Sequence, residues 1–240
     1  MKIRNIIWIY PFIVLGILFL LMSSCKKEDN SITYYFETGT VTDVEGNIYV
    51  TVKIGNQWWM AENLKTTKYN DNTAIPLVTD SAVWINLNTP GYCWYNKDAA
   101  TYKNTYGALY NWFTLNTGKL APTGWHIPTD AEWTILTDYL GGVNVAGDKM
   151  KSTGTIEAGT GLWHSPCLAT NESGFTAIPA GCRNRYGTFS EIGYFGYWWS
   201  SSESHTYYAW ARSLYFYDSY VYRSYYNNKN DGYFVRCVRD

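Results

Sequence analysis

Residues 124–133, Gly-Trp-His-Ile-Pro-Thr-Asp-Ala-Glu-Trp, predict a local structure more clearly than any other stretch of this chain. Thr129 and Glu132 have the spacing of a capping box. In that motif the threonine oxygen accepts a free N–H of the first turn, and the glutamate accepts the N–H of the cap residue. We therefore predict a helix that begins at Asp130 and ends at Gly141.

Two more helices are predicted from apolar spacing and from the glycines that end helices. Residues 106–116 place Leu109 and Trp112 at helical spacing, and Gly118 follows them. Residues 144–151 add a short third helix.

Strands are predicted on both sides of these helices. The turn signal at 44–47 separates 41–43 from 48–54, which predicts a hairpin, and 58–64 adds a third strand. Later segments with alternating or aromatic content are 198–202, 208–217, 221–226 and 233–238. Two main helices beside small twisted antiparallel sheets, with long ordered loops such as 154–174, make the predicted fold α+β.

The first 24 residues predict an export signal. Lys2 and Arg4 supply positive charge, 6–22 is apolar and uncharged, and small serines precede Cys25. The pattern resembles a bacterial lipoprotein signal, which implies cleavage before Cys25 and a diacylglycerol anchor on its thiol. The alternative is an uncleaved membrane helix, because the apolar run is close to the ~17 residues that a span needs.

A short tether and one domain follow the predicted signal. Residues 26–29, Lys-Lys-Glu-Asp, are similar to the signal that sends Bacteroidetes lipoproteins to the outer face of the outer membrane. Read without that likeness, they are a solvated charge cluster. We predict a tether over 25–38 and a single domain over 39–240, lipid-anchored in the outer membrane and exposed at the cell surface.

Net charge and aromatic content indicate which classes of partner the protein binds. A formal net charge of -1 provides no positive field for nucleic acid. The chain holds 12 Trp and 23 Tyr, and this aromatic surplus indicates an aromatic core, a stacking surface, or both.

Several motifs together resemble the Fibrobacter succinogenes major paralogous domain, which is common in surface lipoproteins. The segment 124–133 is similar to the Arg-Leu-Pro-Thr-Glu-Ala-Glu-Trp signature of formylglycine-generating enzymes, whose fold is related to C-type lectin-like domains. The motifs of the closer resemblance are 54–64 (IGNQWWMAENL), 92–95 (YCWY), 106–112 (YGALYNW), 174–175 (GF), 197–201 (YWWSS) and 235–240 (VRCVRD). The resemblance implies a C-type lectin-like or formylglycine-generating-like fold, and it assigns no biochemical role.

The cysteines permit several pairings. With Cys25 assigned to the anchor, Cys93, Cys167, Cys182 and Cys237 remain in an oxidising compartment, and four cysteines allow three connectivities. The short separation of Cys167 and Cys182 favours a bridge between them. Cys93 and Cys237 then form a second bridge or stay as free thiols.

Signals for catalysis are few. His126, His164 and His205 lie far apart and match no zinc spacing, and no phosphate loop, dinucleotide fingerprint or nucleophile elbow is present. The formylglycine-generating resemblance implies a pair of reactive cysteines. Cys182 is the one candidate here, and it has no second thiol nearby. We predict a non-enzymatic protein, with a thiol-dependent enzyme at Cys182 as an alternative.

A ligand-binding surface is predicted in the C-terminal third, where aromatic rings mix with hydrogen-bonding side chains. Such mixtures stack on sugar rings and bond their hydroxyls. The predicted ligand-binding residues are Arg183, Asn184, Arg185, Tyr186, Tyr197, Trp199, Glu203, Tyr207 and Tyr208. Packing of these aromatics in a tyrosine-rich core is the competing interpretation.

Two pairs of consecutive tryptophans, Trp58–Trp59 and Trp198–Trp199, are predicted to lie in strands. Neighbours in a strand point to opposite faces, so we expect Trp59 and Trp198 in the core, with Trp58 or Trp199 lining a groove. The predicted partner is a glycan or a surface protein, and a structural adhesin or fimbrial component is the alternative. No cofactor is predicted. The calcium and sugar motif of C-type lectins is absent, yet calcium dependence is left open.

Overall fold

A computed structural model describes residues 35–240. The predicted signal peptide, the lipidation residue Cys25 and most of the predicted tether lie outside the described residues. Within the described range, none of the helices is both long and apolar enough to cross a membrane.

Strands dominate the described chain. They are β1 (Thr38–Thr42), β2 (Ile48–Ile54), β3 (Gln57–Met60), β4 (Tyr92–Cys93), β5 (Leu109–Tyr110), β6 (Trp125–His126), β7 (Ala180–Arg183), β8 (Phe189–Ile192), β9 (Phe195–His205), β10 (Tyr208–Tyr215), β11 (Val221–Asn228) and β12 (Val238–Arg239). The helices are α1 (Ser81–Ile85), α2 (Ala99–Tyr106), α3 (Trp112–Leu115), α4 (Asp130–Tyr139) and α5 (Ala146–Met150).

Two five-stranded sheets organise these strands. The first has the order β1-β2-β3-β12-β6 and is antiparallel at every pairing. The second has the order β11-β10-β9-β7-β8 and is antiparallel except for the parallel contact of β7 with β9. Strands β4 and β5 form a small separate pair.

The predicted α+β class with two main helices is wrong, because the molecule is mostly β. Among residues 35–240 the longest helix, α4, has ten residues, and the other α-helices have four to eight. Short helices cannot bury a broad apolar face alone. The core is therefore built jointly by the sheets, the short helices and the connecting segments. In one cluster, for example, Trp59 and Trp198 come from strands, Trp133 from α4 and Phe175 from a loop.

The predicted helix at 106–116 is the main local error. Gly107 has φ 83°, which ends α2, and the next residues turn into a strand. The N–H of Ala108 donates to the Leu64 carbonyl at 2.9 Å, and the N–H of Tyr110 donates to that of Tyr233, also at 2.9 Å. Long-range partners thus satisfy backbone groups that a local helix would have used, and only α3 remains helical.

Several local predictions are confirmed. The β1–β2 hairpin forms with Val41 opposite Tyr49, and β3 extends it. Both halves of the capping box are present at Thr129, where α4 begins at Asp130. Helix α5 lies inside the predicted range 144–151, and no helix or strand interrupts the predicted loop region 154–174.

The C-terminal strand prediction is only partly right. Of residues 233–238, regular strand pairing begins at Val238, which lies opposite Trp59 and His126 in the first sheet. The preceding residues make single bridges, Tyr233 to Tyr110 and Phe234 to Trp198. This segment connects the two sheets.

The core forms two clusters whose members alternate along the second sheet. Trp198 and Leu214 belong to one cluster, and Trp199 and Ala211 belong to the other. Side chains of successive strand residues point to opposite faces, so both faces of this sheet are packed near its centre. Trp59 and Trp198 are fully buried as predicted, whereas Trp199 is also fully buried and lines no groove. Trp58 is half-buried, with the Arg239 guanidinium 4.7 Å from its ring.

Candidate binding surface

Two of the predicted ligand-binding residues are structural. Arg183 and Trp199 are fully buried. The Arg183 guanidinium donates to the carbonyls of Val78 at 2.6 Å and of Thr79 at 3.2 Å, and it stacks on Trp84 at 4.2 Å. The Trp199 indole N–H donates to the Tyr110 carbonyl at 2.8 Å. Neither side chain is accessible to a ligand, because each satisfies its polar atoms inside the core.

Asn184 and Tyr197 are committed to internal contacts. The Asn184 carboxamide oxygen accepts the N–H groups of Tyr186 at 3.0 Å and Thr188 at 3.1 Å, which closes the β7–β8 turn. The Tyr197 hydroxyl donates to Glu191 at 2.7 Å, and its ring stacks on Tyr233 with 4.9 Å between centroids.

The other five predicted residues lie in neighbouring segments of the second sheet, which Asp231 joins through the backbone N–H groups of Arg185 and Asn228. Arg185 and Tyr186 lie in the β7–β8 turn, Glu203 is near the end of β9, and Tyr207 and Tyr208 begin the return along β10. Two neighbours on β11, Tyr225 and Tyr226, were missed by the sequence reasoning. We call Tyr186, Tyr207, Tyr208, Tyr225 and Tyr226 the tyrosine end.

The rings of the tyrosine end are unusually exposed for residues of their size. Tyr186 is 60% exposed, Tyr207 67%, Tyr225 45% and Tyr226 65%. Tyr208 is half-buried, and its ring centroid lies 5.8 Å from that of Tyr226 and 6.0 Å from that of His205. His205 is also 6.0 Å from Tyr207, and Tyr225 is 3.8 Å from Tyr226, so ring contacts run from Tyr207 to Tyr225. Clusters of exposed aromatic surface mark interaction sites in proteins.

A buried carboxylate joins the strands that carry these rings. Asp231 accepts the backbone N–H of Arg185 at 2.7 Å and that of Asn228 at 2.9 Å. Asn228 lies opposite Tyr208 in the ladder of β10 and β11. Burial raises the pKa of Asp231 to about 6, against the lowering effect of the two N–H donors. Asp231 thus fixes the β7–β8 turn against the end of β11.

Charged side chains border the exposed rings. Arg185 donates to the Tyr186 hydroxyl at 2.6 Å, with its guanidinium 4.8 Å from that ring. Glu203 pairs with Lys229 at 3.0 Å, and the Lys229 ammonium lies 4.5 Å from the Trp112 ring. The surface therefore combines flat rings with donors and acceptors of both signs.

One sequence signal pointed to the residues that were missed. Tyr225 and Tyr226 are consecutive in a segment that lacks the apolar–polar alternation of a half-buried strand. An aromatic strand segment without apolar–polar alternation indicates that some of its rings lie outside the core. Which other residues come near them depends on strand order, and a single sequence does not carry that information.

The predicted disulfide between Cys167 and Cys182 is not formed. All four cysteines of the described range are free thiols. The Cys182 sulfur lies 3.7 Å from the Ser190 hydroxyl and 3.6 Å from the Glu191 carboxylate. Burial, with the nearby Glu191 charge, raises the pKa of the Cys182 thiol far above its ordinary value, and burial raises that of Cys93 to about 11. Such thiols are protonated at neutral pH and are poor nucleophiles.

Metal ligands and histidines give no further site. Residues 35–240 contain no group of three or more His, Cys, Asp or Glu side chains arranged to hold a metal ion. His126 lies between two carboxylates, His164 bonds Glu157 at 2.7 Å, and His205 packs near Tyr207 and Tyr208.

These features define a two-sheet β domain with a tryptophan-rich core and an exposed tyrosine end. Residues 52–239 match the family model described as the Fibrobacter succinogenes major domain, so the chain belongs to that family. No curated protein and no solved structure matches the chain. The likeness to C-type lectin-like and formylglycine-generating folds is accordingly not confirmed.

Proposed function

We propose that this protein is a lipid-anchored surface module that binds polysaccharide through the tyrosine end. The observation that carries the proposal is the concentration of four exposed tyrosines at one end of the second sheet. A tyrosine that is 60–67% exposed cannot have both ring faces covered, so Tyr186, Tyr207 and Tyr226 each offer a face for stacking.

Shape and chemistry favour an extended glycan. Pyranose rings have apolar faces that stack on aromatics and hydroxyls that need donors and acceptors, and Arg185 and Glu203 border the rings. The rings are exposed rather than enclosed in a pocket, which suits an extended chain better than a small enclosed molecule. The cleft lined by Tyr69 and Pro76 and the one lined by Asp43 and Thr66 have none of the tyrosine-end residues in their walls.

Binding to polysaccharides tests the proposal. The full-length protein in detergent is titrated with soluble plant and host polysaccharides and applied to a glycan array, beside the double variant Tyr207→Ala/Tyr226→Ala. At about 1 kcal/mol for each stacked ring, the double variant binds about 30-fold more weakly. The matched control is Tyr139→Ala, which removes a ring 65% exposed on α4.

Three results overturn the proposal. One is the absence of binding to every polysaccharide. Another is equal affinity of the double variant and the Tyr139→Ala control. The third is specific retention of a protein partner by the tyrosine end without any glycan binding, which assigns the surface to protein recognition.

The anchor rests on the sequence pattern at Cys25 and is tested separately. Metabolic labelling with a fatty acid is expected to mark the wild-type chain and not Cys25→Ala. Protease applied to intact cells is expected to digest the wild-type domain if it faces outward. Unlabelled wild-type protein, or a domain protected in intact cells, contradicts the proposed location.

A further inference from the structure

A second concave region, which shares no lining residue with the tyrosine end, lies beside the segment 124–133. Its cleft has a volume of about 230 Å³. The residues that line one side are apolar, Leu115, Ala121, Ile127 and the half-exposed Trp125, and Thr129 and Ser201 contribute hydroxyls. The volume is below the ~300–1,000 Å³ of pockets for drug-sized ligands, so it suits a single ring.

Two polar groups of this cleft are uncommitted. The Ser201 backbone N–H donates to the Pro128 carbonyl at 2.9 Å, whereas its hydroxyl has no hydrogen-bond partner among residues 35–240. The indole N–H of Trp125 likewise has no protein partner in the described range. Both residues are half-exposed, so these groups are available to a ligand in the cleft.

The histidine in the wall of the cleft is already paired with carboxylates. His126 bonds the Glu132 carboxylate through Nε2 at 2.7 Å and the Asp240 carboxylate through Nδ1 at 2.5 Å. Burial lowers the pKa of His126, but the hydrogen bonds to Asp240 and Glu132 outweigh it and raise the pKa overall. Both ring nitrogens are therefore occupied by carboxylates. His126 offers neither a free positive charge nor a free N–H to a ligand, which disfavours an anionic ligand.

We infer that the cleft beside Trp125 binds one neutral pyranose unit, with the sugar ring against the apolar wall and its hydroxyls on Ser201 and the Trp125 indole N–H. A neutral ring with an apolar face and several hydroxyls matches a wall of this composition. The site is distinct from the tyrosine end, although Ser201 and Glu203 belong to the same strand, β9.

Monosaccharide titration of the full-length protein tests this inference. The probes are glucose, galactose, mannose, xylose and N-acetylglucosamine, each followed by NMR shift perturbation and by tryptophan fluorescence. At least one sugar is expected to bind. Ser201→Ala is expected to weaken that binding about fivefold, the equivalent of one hydrogen bond, and Trp125→Ala more than Ser201→Ala.

Matched variants separate this site from fold damage and from the tyrosine end. Trp58→Ala removes another half-buried tryptophan of the first sheet, outside the cleft, and is expected to leave affinity unchanged. The variant Tyr207→Ala/Tyr226→Ala also keeps monosaccharide binding, so failure at one site leaves the other measurable. Absence of binding by all five sugars overturns the inference. So does unchanged affinity in Ser201→Ala, whose small substitution preserves the fold.

Discussion

The tryptophan core and the tyrosine end are both dense in aromatic rings, and they differ in what surrounds them. In the core, Trp59 lies 4.9 Å from Trp133 between ring centroids, Phe175 packs against both, and all three are fully buried. At the tyrosine end Tyr208 is half-buried, and the exposed fractions of the other four rings run from 45% for Tyr225 to 67% for Tyr207. The same class of side chain thus builds the interior at one place and the surface at another.

The difference follows from the partners that the polar atom of each ring finds. Most buried indoles donate their N–H inside the core, as Trp133 does to the Trp199 carbonyl at 3.3 Å and Trp198 to Asn63 at 2.8 Å, whereas the N–H of Trp84 is buried without a hydrogen-bond partner among residues 35–240. Buried tyrosines also find internal acceptors: Tyr49 donates to Asp43 and Tyr110 to the Thr66 carbonyl, both at 2.6 Å. A tyrosine hydroxyl can both donate and accept, so at the tyrosine end water can meet this need and the exposed rings stay at the protein surface.

Removing a core ring is expected to have the largest effect. Trp133→Ala leaves a cavity between Trp59 and Phe175 and should lower the free energy of unfolding by about 3–5 kcal/mol. Denaturant unfolding measures it. Tyr139→Ala on the same helix is the control, with a change expected below about 0.5 kcal/mol. Equal losses in the two variants would contradict the division between core and surface.

The second-largest effect is expected at Asp130, which links the start of α4 to β10 and β11 through two arginines. Asp130 accepts from Arg212 at 2.7 Å and from Arg223 at 2.6 Å, and Arg212 is buried. Asp130→Asn leaves the Arg212 charge without its anion and should cost about 3 kcal/mol. Asp71→Asn, which breaks an exposed pair with Lys119, is expected to change stability little. A small effect of Asp130→Asn would show that water compensates Arg212.

The helix cap at the start of α4 has a moderate effect. Thr129→Ala removes the side chain that accepts the N–H of Glu132 at 3.2 Å and should cost about 1 kcal/mol. Thermal unfolding measures the loss, and Thr123→Ala at an exposed loop position is the control. No difference between these variants would mean that β-sheet contacts alone hold α4.

The pH dependence of His126 is expected to be smaller. Its pKa is raised in the folded state, so its contribution is complete below the unfolded pKa near 6.5 and is lost as pH rises through the higher folded value. The loss stays below about 1 kcal/mol because His126 is partly exposed and its ion pairs are screened. Stability of wild type minus that of His126→Gln should therefore fall as pH rises above 6.5. If the stability difference does not change with pH, the pairing of His126 with Glu132 and Asp240 does not contribute to stability.

Changes at the tyrosine end should hardly affect stability. Tyr207→Ala and Tyr226→Ala, made singly, are each expected to shift the free energy of unfolding by less than about 0.5 kcal/mol. Urea titration of each variant measures the shift. A loss above about 1 kcal/mol in either would mean that these rings support the fold, which would remove the contrast with the tryptophan core.

Predictions from sequence succeeded where the governing contacts are local. The β1–β2 hairpin depends on a four-residue turn, and the start of α4 depends on groups three residues apart, so both are readable from the chain. The helix at 106–116 failed because Leu64 and Tyr233, far away in sequence, take the backbone bonds of its first half. The expected Cys167–Cys182 bridge failed for a similar reason, since sequence separation does not fix where two side chains point.

The candidate surface shows the same limit. Composition and the aromatic C-terminal third pointed to Arg185, Tyr186, Glu203, Tyr207 and Tyr208, and the structure places these residues in neighbouring segments that Asp231 joins. Arg183 was predicted for the same reason, yet it is buried under carbonyls from residues 78–80. The identity of a strand residue does not show whether its side of the strand is exposed to solvent or buried. The sequence alone therefore could not distinguish the buried Arg183 from the residues of the candidate surface.

The sequence by itself determined the family, the turns, the capped helix and the abundance of aromatic rings, because each depends on residue identity or on neighbours within a few positions. Only the tertiary structure decided the order of the two sheets, which aromatics are buried, and the meeting of the β7–β8 turn with β10 and β11. The physical reason is that these outcomes depend on long-range strand pairing and on one buried carboxylate, Asp231, which accepts the backbone N–H groups of Arg185 and Asn228 from distant parts of the chain.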